Sequence, residues 1–344
     1  MTAREADAGR ATRRLDAPHR RAARTARGGS RVANARTRLV ERTAVNAYRA
    51  AAWSLRHLPQ RAAANVLGRV FQATYVGWPA KRRWSNANFG HVLGRPPTDR
   101  AVRRLALAAY ATYGRYLVEL MRLPAEPDET YAARVDLLGI EDVLARWSTS
   151  GRGLILTAAH VGSNEAVAAG IAHRGFPIGV VADDTAFPEL FDLLRRQREA
   201  WGLTIIPWRN LRELFGFLRR HEILALLVDW GYRDDGIPVR LFDAWTCLPA
   251  GPATLAAKTH VPIVPITVRR VGDRMVVSAD EVIEVASSAP ADIQRATQAI
   301  AAALERTIGA APEQWYSFKP LWPADPAESA ALERRAAEML GVAA

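Results

Sequence analysis

From residue 151 onward, short apolar runs alternate with amphipathic stretches along the chain. The apolar runs predict buried strands at Leu154–Ala158, Ile178–Ala182, Leu203–Pro207, Ile223–Val228 and Ile263–Val268, with two shorter strands at 275–278 and 282–285. Helical periodicity predicts helices at 163–174, 187–201, 210–220, 250–258 and 291–308. This alternation predicts an α/β fold, in which helices flank a central, mostly parallel sheet.

The part of the chain before this alternation has helical periodicity. Residues 43–76 predict two amphipathic helices that are separated at Pro59, because proline interrupts the hydrogen bonds of a helix. A further helix is predicted over 98–124, with Thr98 as its N-cap and Pro124 just past its end.

The first of these helices has an apolar stripe with arginines outside it. The stripe consists of Val45, Tyr48, Ala52, Trp53 and Leu55. Two interpretations remain open: the stripe lies in a membrane interface, or it packs on the rest of the protein. No run approaches the roughly 20 apolar residues of a spanning helix, so the chain is expected to be soluble or to lie on a membrane surface.

Composition adds charge to this picture. The net charge of +12 predicts acidic partners: anionic lipid, an acidic carrier protein, a phosphate-bearing substrate or nucleic acid. Residues 1–42 are rich in Arg and Ala and predict a disordered arm, which either touches anionic head groups or reflects codon bias alone. The single cysteine, Cys247, excludes an internal disulfide and fits a reducing compartment.

These patterns divide the chain into segments. The predicted segments are the arm at 1–42, an N-terminal helical region at 43–125, an α/β core at 126–325 and a C-terminal tail helix at 326–344.

The stretch LILTAAHVGSNEAV places a histidine where a buried strand ends. In open α/β sheets, sites gather at the carboxyl ends of strands, and His160 lies at such an end. Glu165 falls in the first turn of the next helix, from which its carboxylate can reach back to the imidazole and raise its basicity. This predicts a general base, although the spacing alone is more often that of a structural histidine.

A second stretch carries further candidate residues. Asp229 ends a strand, as His160 does. In LPAGPATLAAKT, Pro252 suits the first turn of a helix, whose free amides from Gly251 onward can meet an anion. Asp234 and Asp235 are better explained by a plain turn.

The order of these blocks resembles the lysophospholipid acyltransferase-like superfamily, in the branch of the lipid A late acyltransferases and the actinobacterial phosphatidylinositol mannoside acyltransferases. The resemblance spans about residues 50 to 322. Its blocks are H-x4-E at 160–165, an arginine-bearing helix, D…G-x-x-V-x-x-F from Asp229, LPAGPA at 248–253, PIVPI at 262–266 and PEQWYSFKPLW at 312–322.

The resemblance implies transfer of an acyl group from a thioester, on acyl-CoA or acyl carrier protein, to a hydroxyl of a glycolipid. It implies that His160 is the general base and that Glu165 orients it. Residues implied to contact substrate are Arg195, Arg196, Arg198, Asp229, Gly162, Asn164 and Gly251, with backbone amides at Gly162 or Gly251 as oxyanion donors. No cofactor is expected beyond the acyl donor. The other histidines lack metal-ligand spacing with Cys or acids, so no metal is predicted, and without a recognised nucleic-acid module no nucleic-acid partner is predicted.

The resemblance says less about where the protein acts and which molecule accepts the acyl group. The resemblance implies a peripheral protein at the cytoplasmic face of a bacterial plasma membrane, or in the cytoplasm, with an anionic membrane surface as partner. The motif here is HVGSNE, whereas the family has H-x-G-N-W followed by an acid. This departure leaves open a relative that acylates a hydroxyl or amine of a soluble metabolite. The alternative that is not an enzyme is a basic protein that binds membrane or nucleic acid without catalysis.

Overall fold

The computed structural model describes residues 41–183 and 188–342. The arm predicted at 1–42 lies outside the described residues except for its last two positions. The strands are β1 (Val135–Gly139), β2 (Leu154–Ala158), β3 (Ile178–Ala182), β4 (Thr204–Pro207), β5 (Ile223–Leu227), β6 (Ile237–Leu241), β7 (Ala244–Leu248), β8 (Ile263–Val271) and β9 (Arg274–Ala279).

Seven strands form one sheet in the order β1-β9-β8-β2-β5-β3-β4. Strands β2, β3, β4, β5 and β8 run parallel to one another, β9 runs antiparallel to β8, and β1 is parallel to β9. Every residue of β2 is buried, as expected for a central strand covered on both faces. The predicted α/β fold with a mostly parallel sheet is confirmed.

Helices precede and flank this sheet. They are α1 (41–57), α2 (Gln60–Gly77), α3 (Pro79–Leu93), α4 (Arg100–Arg122), α5 (Asp128–Ala132), α6 (Glu141–Ser150), α7 (Asn164–His173), α8 (Pro188–Ala200), α9 (Leu211–Arg219), α10 (Gly251–Thr259), α11 (Pro290–Ala310) and α12 (Pro326–Leu340). The predicted break at Pro59 is confirmed, because α1 ends and α2 begins on either side of it.

Two predictions about element ends are wrong. The N-cap of α4 is Asp99 rather than Thr98, since the Asp99 side chain accepts a 2.6 Å hydrogen bond from the Ala101 N–H. No strand forms at 282–285, where only Ile283 makes an isolated bridge, with Ile263 of β8. The two-stranded hairpin of β6 and β7 was not predicted.

Helices α2, α3 and α4 share a hydrophobic core with the sheet. Phe89, Val102 and Tyr110 from these helices belong to the same buried cluster as Ile155 of β2 and Trp315. The helical region therefore belongs to the same hydrophobic core as β2 and Trp315.

Candidate active site

Two neighbouring strands bring His160 and Asp229 together. In the parallel pair of β2 and β5, Ala158 is opposite Leu227. His160 and Asp229 each lie two residues beyond this pair, so both side chains emerge at the same edge of the sheet. The structure thus places them where sites of open α/β sheets form.

The Asp229 carboxylate binds His160 at two points. Its Oδ1 lies 2.6 Å from Nδ1 of the His160 ring. The His160 backbone N–H donates to both carboxylate oxygens, at 3.1 and 3.0 Å. A third donor, the indole N–H of Trp315, reaches Oδ2 at 2.7 Å. The carboxylate therefore fixes the ring and directs Nε2 away from itself.

The predicted contact between Glu165 and His160 is wrong. Glu165 lies in the first turn of α7 as expected, but its carboxylate faces α8 and α4. Oε1 accepts from Arg198 at 2.9 Å, and Oε2 accepts from the hydroxyl of Tyr116 at 2.9 Å. Nδ1 of the ring is already occupied by Asp229, so Glu165 acts on His160 only through its charge.

Burial and charge have opposing effects on the pKa values of His160 and Asp229. Burial alone lowers the pKa of His160, but the Asp229 charge and hydrogen bond outweigh it and hold that pKa above its ordinary value of 6.5. Burial alone raises the pKa of Asp229, and the contacts from His160 and Trp315 outweigh it, so that pKa is lowered. The imidazole is therefore a stronger base than a free histidine.

The loop after His160 is held by the segment that carries the PEQW block. The Tyr316 N–H donates to the His160 carbonyl at 2.8 Å, and the Gly162 N–H donates to the Gln314 carbonyl at 3.2 Å. Gly162 has a φ of +68°, a conformation that glycine adopts without strain. Its N–H is already bonded, which corrects the expectation that it is free for an oxyanion.

Asn164 also turns toward the chain itself. Its side-chain amide donates to the carbonyl of Ala159 at 3.0 Å. In this structure, Asn164 therefore braces the loop between β2 and α7 instead of presenting its amide to a substrate.

The three predicted arginines of α8 have different surroundings. Arg198 reaches the site through its bond to Glu165. Arg195 pairs within its own helix, with Asp192 at 3.3 Å and Glu199 at 3.5 Å, and Arg196 is exposed. Only Arg198 of the three contacts another predicted site residue.

The remaining predicted residues lie at the periphery. Gly251 is exposed at the first position of α10, and this helix leads into β8, which is parallel to β2. Asp234 and Asp235 form the expected exposed turn, in which Asp235 pairs with Arg233 at 2.7 Å. Within residues 41–183 and 188–342, no group of three or more acidic, His or Cys side chains is placed to hold a metal ion.

One side of the His160 ring is bordered by residues that the sequence did not single out. The Trp230 ring lies 5.4 Å from the imidazole, centroid to centroid, and is 55% exposed. Lys319 lies with its Nζ 3.8 Å from the Trp230 centroid. The position of Trp230 directly after Asp229 was the available signal, since a residue after a strand-end carboxylate lies at the same edge of the sheet.

Comparisons with known proteins identify the family of the chain. The model of a family described as "Bacterial lipid A biosynthesis acyltransferase" matches residues 33–323. The phosphatidylinositol mannoside acyltransferase of Mycolicibacterium smegmatis is 28% identical over 296 residues, which cover 83% of this chain and 93% of that protein. The protein of the same name from Mycobacterium tuberculosis H37Rv is 28% identical over 299 residues, covering 84% and 92%.

The family match extends over most of the chain and includes the whole region from α1 to the PEQW block. It replaces the non-catalytic interpretation and confirms the resemblance to this branch. The chain belongs to the bacterial lipid A biosynthesis acyltransferase family and is an acyltransferase.

Proposed function

We propose that the protein moves an acyl group from a thioester, carried by acyl-CoA or acyl carrier protein, to a hydroxyl of a glycolipid such as a phosphatidylinositol mannoside or a lipid A-type precursor. The observation that carries the proposal is the 2.6 Å contact between His160 Nδ1, just after β2, and the buried Asp229 carboxylate, just after β5. The names of the relatives support the choice of a glycolipid acceptor.

In the proposed reaction, His160 acts as the general base. Nε2 removes the proton from the acceptor hydroxyl while that oxygen attacks the thioester carbon. The C–S bond breaks, and the thiolate leaves with the proton that His160 has taken. Asp229 stabilises the imidazolium that forms in between. No acyl-enzyme is needed, and Cys247 is buried beside Arg335 rather than presented as a nucleophile.

Two further assignments complete this proposal. Glu165 and Arg198 form a partly buried ion pair that holds the start of α7, and we assign them a positioning role. With the Gly162 N–H bonded to Gln314, the exposed start of α10 at Gly251 is the proposed donor for the oxyanion. Arg195 and Arg196 remain proposed contacts for the anionic donor.

The reaction is tested by release of CoA thiol from palmitoyl-CoA in the presence of acceptor. The wild type is expected to release thiol, and His160→Ala is expected to lose about 10²–10⁴ of the rate, the typical contribution of a general base. His173→Ala, in the last turn of α7, is the matched control and keeps wild-type activity. Equal rates for wild type and His160→Ala would refute the assignment of His160.

The protein is further proposed to act at an anionic membrane surface on the cytoplasmic side. In the described part of the chain, no helix is long and apolar enough to cross a bilayer. Helices α1 to α3 and their junctions nonetheless expose large apolar side chains among many arginines. These are Trp53, Leu58, Val66, Val70, Val76, Trp78 and Trp84. Exposed apolar groups with basic flanks are typical of helices that lie in the membrane interface.

Membrane binding is tested by flotation with vesicles that contain phosphatidylglycerol. Trp53→Ser combined with Val66→Ser is expected to reduce the bound fraction several-fold, because apolar burial contributes to such binding. Val282→Ser is the control, since this valine is 48% exposed and lies outside helices α1 to α3. Unchanged flotation of the double variant would exclude this surface.

A further inference from the structure

The segment 314–316 contacts the candidate site at several points. Its backbone is bonded to His160 and Gly162, and the indole of Trp315 donates to the Asp229 carboxylate at 2.7 Å. The position of this segment therefore affects both members of the acid–base pair. Whatever holds the segment against the rest of the fold contributes to the geometry of that pair.

The side-chain amide of Gln314 bonds the segment to the backbone of β8. Its Oε1 accepts from the Arg270 N–H at 2.7 Å, and its Nε2 donates to the Arg270 carbonyl at 3.1 Å. The carboxamide thus forms both bonds with one residue, as a residue of a neighbouring strand does in an antiparallel pair. Two bonds fix the direction of the side chain as well as its distance from β8.

Arg270 is a firmly held attachment point. Strand β2 pairs with β8 only as far as Pro265, so Arg270 lies beyond the part of β8 that β2 covers. The guanidinium of Arg270 pairs with the largely buried carboxylate of Glu119 on α4, which also pairs with Arg115 at 3.3 Å. Strand β8 and helix α4 therefore hold Arg270 from two directions.

The loop that carries His160 lies on the same part of β8. A Cβ added at Gly162 would lie 3.1 Å from the carbonyl oxygen of Val268, two residues before Arg270. The loop and the segment 314–316 thus share one support. A shift of Gln314 relative to Arg270 is therefore also a shift of the segment relative to the loop.

Asn88 of α3 holds the part of the chain that follows. Its buried side-chain amide makes three hydrogen bonds to the backbone of residues 317–321, at 3.1, 2.7 and 3.2 Å. These bonds remain when the contact of Gln314 with β8 is removed. The expected effect of that removal is a displacement around Trp315 rather than release of the whole segment.

We propose that Gln314 is a positioning residue for the acid–base pair, because its carboxamide holds the segment at the place where the Trp315 indole reaches the Asp229 carboxylate. The proposal rests on the proposed function, in which Asp229 stabilises the imidazolium of His160. Gln314 acts through Trp315 and the backbone of its own segment, so its loss affects kcat and leaves substrate binding nearly unchanged.

The chain provides a matched control, because a second glutamine makes the same contact elsewhere. Gln298 of α11 accepts from the Arg240 N–H and donates to the Arg240 carbonyl, both at 2.8 Å. Arg240 belongs to β6, which lies outside the seven-stranded sheet. A substitution of Gln298 therefore removes the same two hydrogen bonds and leaves the segment 314–316 attached.

Kinetics of Gln314→Met, which removes both bonds and keeps the length of the side chain, test the proposal. The kcat of thiol release is expected to fall about tenfold or more, while the KM values of palmitoyl-CoA and acceptor change by less than about twofold. The midpoint of the pH–rate profile should move to lower pH, since a weaker contact with Asp229 raises the pKa of His160 less. Gln298→Met is expected to match the wild type in all of these measurements.

The indole N–H of Trp315 reports the same geometry without any substrate. The sequence has 10 tryptophans, and the ¹⁵N NMR signal of Trp315 is assigned with Trp315→Phe. In Gln314→Met, this signal is expected to shift and its proton to exchange faster with solvent, because the bond to Asp229 weakens. Gln298→Met should leave the signal unchanged. Urea unfolding of both variants measures the general loss of stability, which the control shares.

Gln314→Glu breaks the contact in a second way, should Gln314→Met fail to fold. It keeps the length of the side chain but turns a carboxylate oxygen towards the Arg270 carbonyl, which can only accept. The kcat and the indole signal are expected to change in the same direction as in Gln314→Met, with Gln298→Glu as the control.

The outcomes separate this proposal from the proposed function. Thiol release that depends on His160, together with a wild-type kcat and indole signal in a folded Gln314 variant, would overturn the role of Gln314 alone. Equal changes in the Gln314 and Gln298 variants would also overturn it. Thiol release that does not depend on His160 would refute the proposed function, and the indole signal would then still decide whether Gln314 holds Trp315 against Asp229.

Discussion

At the scale of single residues, the site depends on one buried carboxylate with several donors. Asp229 accepts from the His160 ring, the His160 backbone and the Trp315 indole, and its side chain is 0% exposed. Its role could be anticipated only in part from the sequence. Asp229 visibly ends a strand, but nothing in the order of elements along the chain shows that β5 lies next to β2.

We expect Asp229→Asn to lower kcat by about 10²-fold or more, because the amide cannot stabilise an imidazolium as a carboxylate does. The wild-type rate should rise with pH through a value above 6.5, where the raised pKa of His160 leaves the ring neutral. In the variant, the main cause that raises this pKa is gone, so the midpoint moves to lower pH. Thiol release measured from about pH 5 to 9 checks this, and an unmoved midpoint would contradict it.

The Glu165–Arg198 pair is a second residue-scale feature with a measurable effect on stability. Arg198→Met leaves the partly buried Glu165 charge with Tyr116 as its remaining partner and is expected to lower the free energy of unfolding by about 1–3 kcal/mol. Adding Glu165→Gln should restore part of this loss. The matched control is Arg195→Met, which removes a half-exposed pair with Asp192 and costs at most about 1 kcal/mol. Urea unfolding measures all three.

The pH dependence of that pair has a defined sign. Burial alone raises the pKa of Glu165, but Arg198 and Tyr116 outweigh it, and the pKa in the folded protein is lowered. The pair therefore stabilises the fold above the pKa of Glu165 in the unfolded chain. The stabilisation should be lost as the pH falls through the lowered, folded-state pKa. Glu165→Gln should abolish this part of the acid dependence.

At the scale of elements, the start of α4 shows how local contacts select a cap. Asp99 holds the Ala101 N–H, whereas the neighbouring Thr98 makes no such bond. We expect Asp99→Ala to lower the free energy of unfolding by about 1 kcal/mol, within the range of lost N-caps. Thr98→Ala should change it by a few tenths of a kcal/mol at most. Equal losses in the two variants, measured by urea unfolding, would contradict the assignment of the cap.

Helices α2 and α4 cross at Gly68 and Gly114, where neither helix has a side chain. A Cβ at Gly114 would lie 2.5 Å from the backbone nitrogen of Gly68. Gly114→Ala is therefore expected to destabilise the protein by about 1–3 kcal/mol, as overpacking does. Gly309→Ala, in α11, meets nothing within 4 Å and should be neutral or stabilising by up to about 1 kcal/mol. The thermal unfolding temperature should fall for Gly114→Ala and should stay the same or rise for Gly309→Ala.

There are physical reasons why the sequence patterns did not predict some elements. The hairpin of β6 and β7 turns at Phe242 and Asp243, both with positive φ, where the glycine that usually marks such a turn is absent. Helix α3 buries polar residues such as Ser85 and Asn88, so it lacks an apolar face that periodicity could detect. The strands of the parallel sheet were predictable because each is an unbroken apolar run.

At the scale of the whole molecule, charge is unevenly distributed along the chain. Residues 1–40 contain 11 arginines and three acidic residues, a net charge of +8 out of the total of +12. Deleting residues 1–40 is expected to weaken binding to phosphatidylglycerol vesicles and to reduce its salt dependence, because the remaining attraction is less electrostatic. Flotation at low and high salt measures both. Identical salt dependence of the two proteins would exclude a role of these residues in membrane binding.

Trp315 and its neighbours lie near the end of the chain and contact the first residues of the site, from His160 to Gly162. The indole holds Asp229, and the backbone of residues 314–316 holds the loop from His160 to Gly162. During synthesis, the ribosome makes both members of the acid–base pair long before it reaches the tryptophan that sets them in place. A nascent or truncated chain that stops before Pro312 therefore carries the reactive groups without their brace. Such a chain is therefore expected to lack acyl-transfer activity, although it contains both His160 and Asp229.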